Sequence, residues 1–195
     1  MNLKGLETIF LARNIIYLKE IDSTQKYIRQ LSDIKEGTII IADKQTNGIG
    51  THDRKWIAGE KENIIISFVL MPKCKISKLT NITVILAECM IKAIQKTYNI
   101  KLNIKIPNDI VYNNKKVGGI LTESTLEGEI AKKIYIGIGI NLNEEKFPDE
   151  IKDIATSLKI EFGNEYSREK ILAEFFNIFE KEYLKLIKYR WFFVK

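Results

Sequence analysis

Hydrophobic positions along the chain change their period several times, and each change predicts an element. Asn14–Ile21 reads as a first strand. Asp22-Ser23-Thr24-Gln25 then offers an N-cap residue with Gln three positions on. That is the capping-box pattern, and it predicts a helix to about Leu31. Gly37–Asp43 is a nearly continuous β-branched run, as expected of a strand buried on both faces. Ile64–Leu70 repeats that character and is closed by Met71-Pro72. Between these two strands, Gln45–Lys61 carries three glycines and many charges and predicts a loop.

Leu79–Tyr98 places Leu79, Ile82, Leu86, Cys89 and Ala93 at helical spacing. Ser167–Lys188 does the same with Leu172, Phe175, Phe176, Phe179, Tyr183 and Leu186. Ile120–Thr125 and Ile130–Asn141 predict two further strands around Glu127-Gly128-Glu129, and Phe147–Leu158 predicts loop and short helix. The resulting class is α/β (α+β), a mixed β-sheet flanked by helices in a single domain over residues 1–195. No helix separates the strand after Gly37 from the next one, which argues against a doubly wound dinucleotide fold.

Lys105–Leu121 departs from plain patterning. A short strand (Leu102–Ile106) stops at Pro107-Asn108-Asp109, restarts as Ile110-Val111-Tyr112 and turns on Asn113-Asn114. It leaves through Lys115-Lys116 into Gly118-Gly119. Proline removes a ladder donor and biases Ile106 towards an extended conformation, so a strand end is expected there. A hairpin requires a turn residue; it does not require an Asn-Asp corner, paired lysines and paired glycines together. Lys105, Lys115 and Lys116 would ordinarily be solvated, and their position beside the corner and the glycines suggests a ligand instead.

Composition narrows the function classes. With 45% hydrophobic and 29% charged residues, 195 residues suit one globular domain with a real core. The net charge of +6 comes from 31 Lys+Arg against 25 Asp+Glu, scattered along the chain rather than striped as in a nucleic-acid interface. Cys74 and Cys89 lack metal-type spacing, and one His cannot complete a zinc site. A reduced, cytoplasmic chain is the economical reading. No apolar run approaches the roughly 18–20 residues of a membrane span, and the N-terminus lacks a signal-peptide apolar region.

Two further stretches carry candidate chemistry. Gly48-Ile-Gly-Thr-His-Asp-Arg-Lys-Trp56 can curl backbone N–H groups towards an anion, with Arg54 and Lys55 adding charge. Asp53 stands where a dinucleotide fingerprint needs its third glycine, so the stretch alone reads equally as a surface loop. Trp56 could stack on a purine. His52, beside Asp53, reads as a solvated side chain more readily than as a general base. Gly137-Ile-Gly-Ile-Asn-Leu-Asn143 is either a strand packed closely on a neighbour or one that ends in the polar groups Asn141 and Asn143.

Taken in order, Gln45-Thr-x-Gly48-x-Gly50-x-x-x-Arg54-Lys-Trp56, Lys105-x-Pro107-Asn108-Asp109, Lys116-x-Gly118-Gly119-Ile-Leu and Gly137-Ile-Gly139-Ile-Asn141-x-Asn143 resemble the motifs of biotin–protein ligases. Ser23-Thr24 and Thr156-Ser157-Leu158 belong to the same pattern, which covers about residues 14–188. The resemblance implies the biotin/lipoate ligase fold, similar to class II aminoacyl-tRNA synthetases. It implies a reaction in which biotin and ATP give biotinyl-5′-adenylate, whose acyl group passes to a lysine of a biotin carboxyl carrier protein. Mg²⁺ is expected with ATP, although no metal-ligand set is read from the residues.

Residue by residue, the resemblance assigns biotin to Ser23, Thr24 and Gln45, with Gln25 beside them. Gly48, Ile49, Gly50 and Thr51 would fold over it, and Lys116, Gly118 and Gly119 would meet its carboxylate end. Arg54, Trp56, Lys105, Asn108 and Asn141 go to the nucleotide. Lys116, Arg54 and Asp109 are the expected catalytic groups, Asp109 helping the acceptor lysine lose its proton. Ile49 and Thr51 stand where the usual loop has arginines, and Ile106 where an aromatic is commoner.

The expected chain is therefore a catalytic domain with no helix-turn-helix before Asn14, no DNA partner and no membrane segment. A complete C-terminal SH3-like barrel is not expected, and Trp191, Phe192 and Phe193 in the tail could cap the core, mediate a homodimer or begin a truncated strand. Two alternatives stay open at this level: a lipoate or octanoate ligase or transferase of the same fold, and a non-catalytic biotin or adenylate sensor.

Overall fold

The computed structural model describes residues 3–51, 54–57 and 63–188. In chain order the elements are β1 (Ile15–Ile21), α1 (Thr24–Gln30), β2 (Ile39–Gln45), β3 (Gly48–Ile49), β4 (Lys55–Trp56), β5 (Ile64–Leu70) and β6 (Cys74–Lys75). A 3₁₀ turn (Ile76–Leu79) leads to α2 (Ile82–Tyr98). Then come β7 (Asn103–Lys105), β8 (Asp109–Tyr112), β9 (Lys115–Glu127), β10 (Ile130–Ile140), α3 (Leu158–Phe162) and α4 (Arg168–Lys188). The main sheet runs β1-β2-β5-β10-β9-β8-β7, with β6 also on β10; β1 and β2 are parallel and the remaining pairs antiparallel.

The β-branched run of β2 explains the layering. Successive side chains point to opposite faces, so Ile39 and Ile41 join the core under α2 and α4, while Ile40 joins a smaller core with Ile28 of α1. β5 follows suit: Ile66, Phe68 and Leu70 face the larger core and Val69 the smaller one. Every residue of β5 is buried, Ser67 included, as a strand covered on both faces requires. Phe68 meets Phe175, Phe176 and Phe179 of α4 edge-on at 5.4–6.4 Å.

Two long-range polar ties close the fold. The buried Glu180 carboxylate on α4 accepts the backbone N–H groups of Ile9, Phe10 and Leu11 at 2.6, 3.0 and 2.9 Å. Arg168, at the start of α4, donates through Nη2 to Asp43 Oδ1 of β2 at 2.6 Å, and the Tyr17 hydroxyl donates to the other oxygen of Asp43. Desolvation pushes the Asp43 carboxyl up, but the hydrogen bonds from Tyr17 and Arg168 outweigh it and hold the group below its ordinary 3.8. A depressed carboxylate stabilises the fold above its unfolded value and loses that contribution as pH falls through the folded one. Asp43→Asn should therefore lower the urea midpoint at pH 7, and its deficit against wild type should shrink below pH 3.8. A deficit that stays constant from pH 7 to pH 3 would contradict this account.

Several expected elements shift. Ser23, not Asp22, is the N-cap of α1: its hydroxyl accepts from Lys26 N at 3.4 Å, while Asp22 accepts from Ser23 N. Gln25 takes no part in a capping box, because its amide is buried against β9 and β10. The glycine-rich loop holds the two-residue strands β3 and β4, paired Gly48 with Trp56. α2 begins at Ile82 rather than Leu79, and β9 begins at Lys115 rather than Ile120. The turn at Asn113-Asn114 has positive φ at both residues, as a two-residue hairpin turn requires. The Ile106-Pro107 bond is cis. Cys74 and Cys89 are buried in the core, and burial pushes the Cys89 thiol up to about 12. His52, Asp53 and the tail from Tyr189 lie outside the described residues.

Candidate active site

Pairing of β9 with β10 sets Gly119 opposite Gly139 and Leu121 opposite Gly137, which leaves bare backbone on the α1 face of the sheet. A Cβ on Gly139 would sit 2.3 and 2.5 Å from the Trp56 indole, so the ring lies directly on this strand. A Cβ on Gly119 would meet Lys116 Nζ at 3.1 Å, and one on Gly137 would meet Gln25 Oε1 at 3.0 Å. Three side chains from three elements thus rest on the glycine floor. Gly118 serves a different purpose: its missing Cβ makes room for Ile140.

Over that floor is a cavity with about 460 Å³ of atom-free space, open at its mouth. Its far end is polar. The Thr24 hydroxyl and backbone N–H both donate to Gln45 Oε1 at 2.9 and 2.7 Å, and Thr24 Oγ1 lies 2.9 Å from Ser67 Oγ. Apolar side chains of Ile65 and Leu121 line the cavity, and Ile49, Gly50 and Thr51 contribute from the β3 segment. A second hollow, with about 730 Å³ of atom-free space that includes open solvent, adjoins it and is lined by Arg54, Asn141, Phe147, Ile151 and Ile154 among others. Gly50, Thr51, Trp56 and Lys116 border both cavities. The indole is the partition, and its Nε1 is buried without a hydrogen-bond partner among the described residues.

Lys116 is the cation at this junction. A bulge in the β8–β9 ladder, where Ile110 pairs with Gly118 but Val111 with Lys116, re-aims the strand at that point. Lys116 N donates to Ile154 O at 2.7 Å and Lys116 O accepts from Thr156 N at 2.8 Å, which ties its backbone to the wall of the second cavity. Nζ lies 2.6 Å from Asp109 Oδ1 and 5.9 Å from the centre of the Trp56 ring. Both charges of the pair are partly exposed, so solvent screens their attraction and the contact is chiefly one of orientation. Asn141 is buried, donates through Nδ2 to Thr156 O at 3.1 Å, and leaves Oδ1 without a partner among the described residues.

The structure brings together Thr24, Gln25, Gln45, Ile49, Gly50, Thr51, Trp56, Asn108, Lys116 and Gly119 around the first cavity, and Arg54 and Asn141 around the second. Asn108, expected at the nucleotide, lines the first cavity instead and donates to Ile120 O at 3.3 Å. Ser23 is buried as a helix cap, Gly118 faces Ile140, and Lys105 is exposed on β7 away from both linings. Gly48 supports the partition, since a Cβ there would strike Gln45 Nε2 and Trp56 O at 2.7 Å. Sequence reasoning missed Ser67, hidden in an apolar strand, and the apolar wall Phe147, Ile151 and Ile154, hidden in a loop. The only signal for the latter is a set of large apolar residues without periodicity.

The biotin/lipoate A/B protein ligase family model matches residues 17–141, from β1 to the end of β10. The chain belongs to that family. It is 39% identical over 183 residues to the bifunctional ligase/repressor BirA of Bacillus spizizenii, a match covering 92% of this chain and 56% of that protein. It thus spans about half the length of such relatives. Among solved structures it is similar to the biotin protein ligase of Aquifex aeolicus in complex with biotin and ATP. That match has 34% identity and a TM-score of 0.76, and covers 91% of this chain and 73% of the other. The biotin protein ligase of Leishmania major in complex with biotinyl-5-AMP shares the fold at 24% identity and a TM-score of 0.71. Within the family, the glycine floor, the Lys116 hairpin and the Gln45 corner all fall inside the matched residues.

Proposed function

We propose that this chain activates biotin with ATP to form biotinyl-5′-adenylate and passes the acyl group to a lysine of a biotin carboxyl carrier protein. The observation that carries the reading is the pair of adjoining cavities sharing Lys116 and Trp56. The first has a polar end suited to a ureido head and apolar walls suited to a thiophane ring and valeryl chain. The second, with Arg54 at its rim and isoleucines in its wall, suits a nucleotide. The Aquifex aeolicus relative, bound to biotin and ATP, supports placing both ligands in one domain.

The reaction sets a carboxylate oxygen against the α-phosphorus of ATP; a new O–P bond forms and pyrophosphate leaves. Anion approaches anion, so a fixed cation at the meeting point is the principal requirement. Lys116 is there, and turning its Nζ from Asp109 to the substrate carboxylate exchanges one anion for another. Arg54 adds a second cation suited to bidentate phosphate contact. Mg²⁺ would accompany the triphosphate and neutralise part of its charge, and the unpartnered Asn141 Oδ1 is a hard oxygen donor suited to it or to its waters. In transfer, the acceptor amine attacks the acyl carbon and AMP leaves. Asp109, released from Lys116, is placed to take the amine proton.

Ile49 and Thr51 provide no cation where the adenylate phosphate would lie. A buried charged hydrogen bond is worth about 1.5–3 kcal/mol, so the adenylate is expected to escape readily. Biotinylation of a bystander protein such as serum albumin should exceed that by a Thr51→Arg variant several-fold; equal labelling would refute the point. The reading as a whole is tested by pyrophosphate release with ATP and biotin against ATP and lipoate, followed by label transfer to a carrier domain. Biotin-dependent release is expected. Lipoate-dependent release, or tight biotin binding without any release, would overturn it.

A further inference from the structure

At the polar end of the first cavity, Gln25 is almost wholly buried, and its Oε1 has no hydrogen-bond partner among the described residues. An orphan acceptor at that depth is costly, so its orientation calls for an explanation. The other half of the amide provides it. Nε2 donates to Glu123 Oε2 at 2.9 Å and to Tyr135 O at 3.3 Å, two acceptors that the β9–β10 register places side by side. Either contact would be lost if the amide turned over. Glu123 is itself held, because its other oxygen accepts from Arg29 Nη1 at 2.7 Å, one turn along α1 from Gln25.

The neighbouring hydroxyls have no hydrogen to give. Thr24 donates its hydroxyl hydrogen to Gln45 Oε1, so the Ser67 hydroxyl, 2.9 Å from Thr24 Oγ1, is the donor in that contact. Gln25 Oε1 therefore waits for a donor from a ligand.

We propose that Glu123 is a positioning residue: it locks the Gln25 amide with its oxygen towards the cavity, so that the site selects a ligand with a ring N–H, the donor of a cyclic urea. Glu123 touches no substrate and acts only through Gln25. The inference rests on the biotin reading and adds to it the group that distinguishes biotin from acids with plain alkyl or dithiolane tails, which offer no such donor. Such discrimination is strong when a buried polar group is left unpaired by the wrong ligand.

The test uses the whole chain, with biotin binding followed by calorimetry and pyrophosphate release by steady-state kinetics. Glu123→Ala should raise the Kd and KM for biotin about tenfold, with kcat and the KM for ATP unchanged. Glu123→Gln, which keeps an oxygen facing Gln25 Nε2, should restore most of the affinity. Gln25→Leu should lose at least as much as Glu123→Ala, and adding Glu123→Ala to it should cost nothing more. With biotin methylated at its ureido nitrogens, wild type and Glu123→Ala should bind equally. Unchanged biotin affinity in Glu123→Ala, equal losses in the Ala and Gln variants, or a deficit that persists with the methylated ligand would each overturn the assignment. Wild type that binds biotin while Glu123→Ala binds it equally well defeats this inference alone; wild type that binds no biotin defeats the reading beneath it.

Discussion

Lys116→Ala is expected to reduce biotin-dependent pyrophosphate release by about 10²–10³-fold, the usual cost of losing one preorganised group that stabilises charge in a transition state. The loss should fall on kcat more than on the KM for biotin, because the charge that matters is the one developing between carboxylate and phosphate. Removing Nζ also strips Asp109 of the cation 2.6 Å away and leaves a bare carboxylate facing two anionic substrates. The double variant Lys116→Ala/Asp109→Asn should accordingly recover part of the lost rate. Transfer from preformed adenylate to a carrier domain should suffer much less from Lys116→Ala than activation does. Lys116→Ala with release within threefold of wild type would remove Lys116 from the chemistry.

The second large effect concerns stability. Phe68→Ala should cost about 3–5 kcal/mol, since a fully buried ring is deleted and the rings of Phe175, Phe176 and Phe179 cannot all close on the space. For a chain of this size that corresponds to a fall in Tm of roughly 10 °C. Ser67 precedes Phe68 on β5 and points to the opposite face, into the first cavity. The same strand thus serves the core with one side chain and the site with the next. Biotin should protect the variant against heat by a smaller margin than it protects wild type. Scanning calorimetry with and without biotin measures both quantities.

What was legible in the chain depended on how far each signal reached. β5 falls on the residues its apolar run marks, because burial on both faces leaves no other pattern. α4 does so within one residue, for a stripe of aromatic residues fixes a helix face over many turns. The Lys116 hairpin, the Gln45 corner and the glycines of β10 were legible as chemistry because they exceed what turns and strands require. Two-residue strands such as β3 and β4 have no period to read. Gln25 shows the limit most clearly: a local rule makes it a helix-capping residue, whereas contacts with Glu123 and Tyr135, 98 and 110 residues away, make it part of the cavity. The place of Asn108 is likewise set at a distance, since it depends on how β8 docks on β9. Gly118 and Gly119 look alike in sequence, and only strand alternation separates the packing glycine from the cavity one.

The Glu180 carboxylate has a bearing on how the chain is made. It gathers three backbone N–H groups lying 169–171 residues earlier, just ahead of the first strand. Closing so long a loop is entropically slow, and folds dominated by such distant contacts form late. The lead-in to β1 is therefore made well before α4, the helix that completes its hydrogen bonds. During that interval those three amides lack their carboxylate acceptor and Phe68 lacks the three α4 rings that pack on it, and exposed apolar surface of that kind makes folding intermediates prone to aggregate. The segment ahead of β1 thus reaches its final place only once α4 has been made.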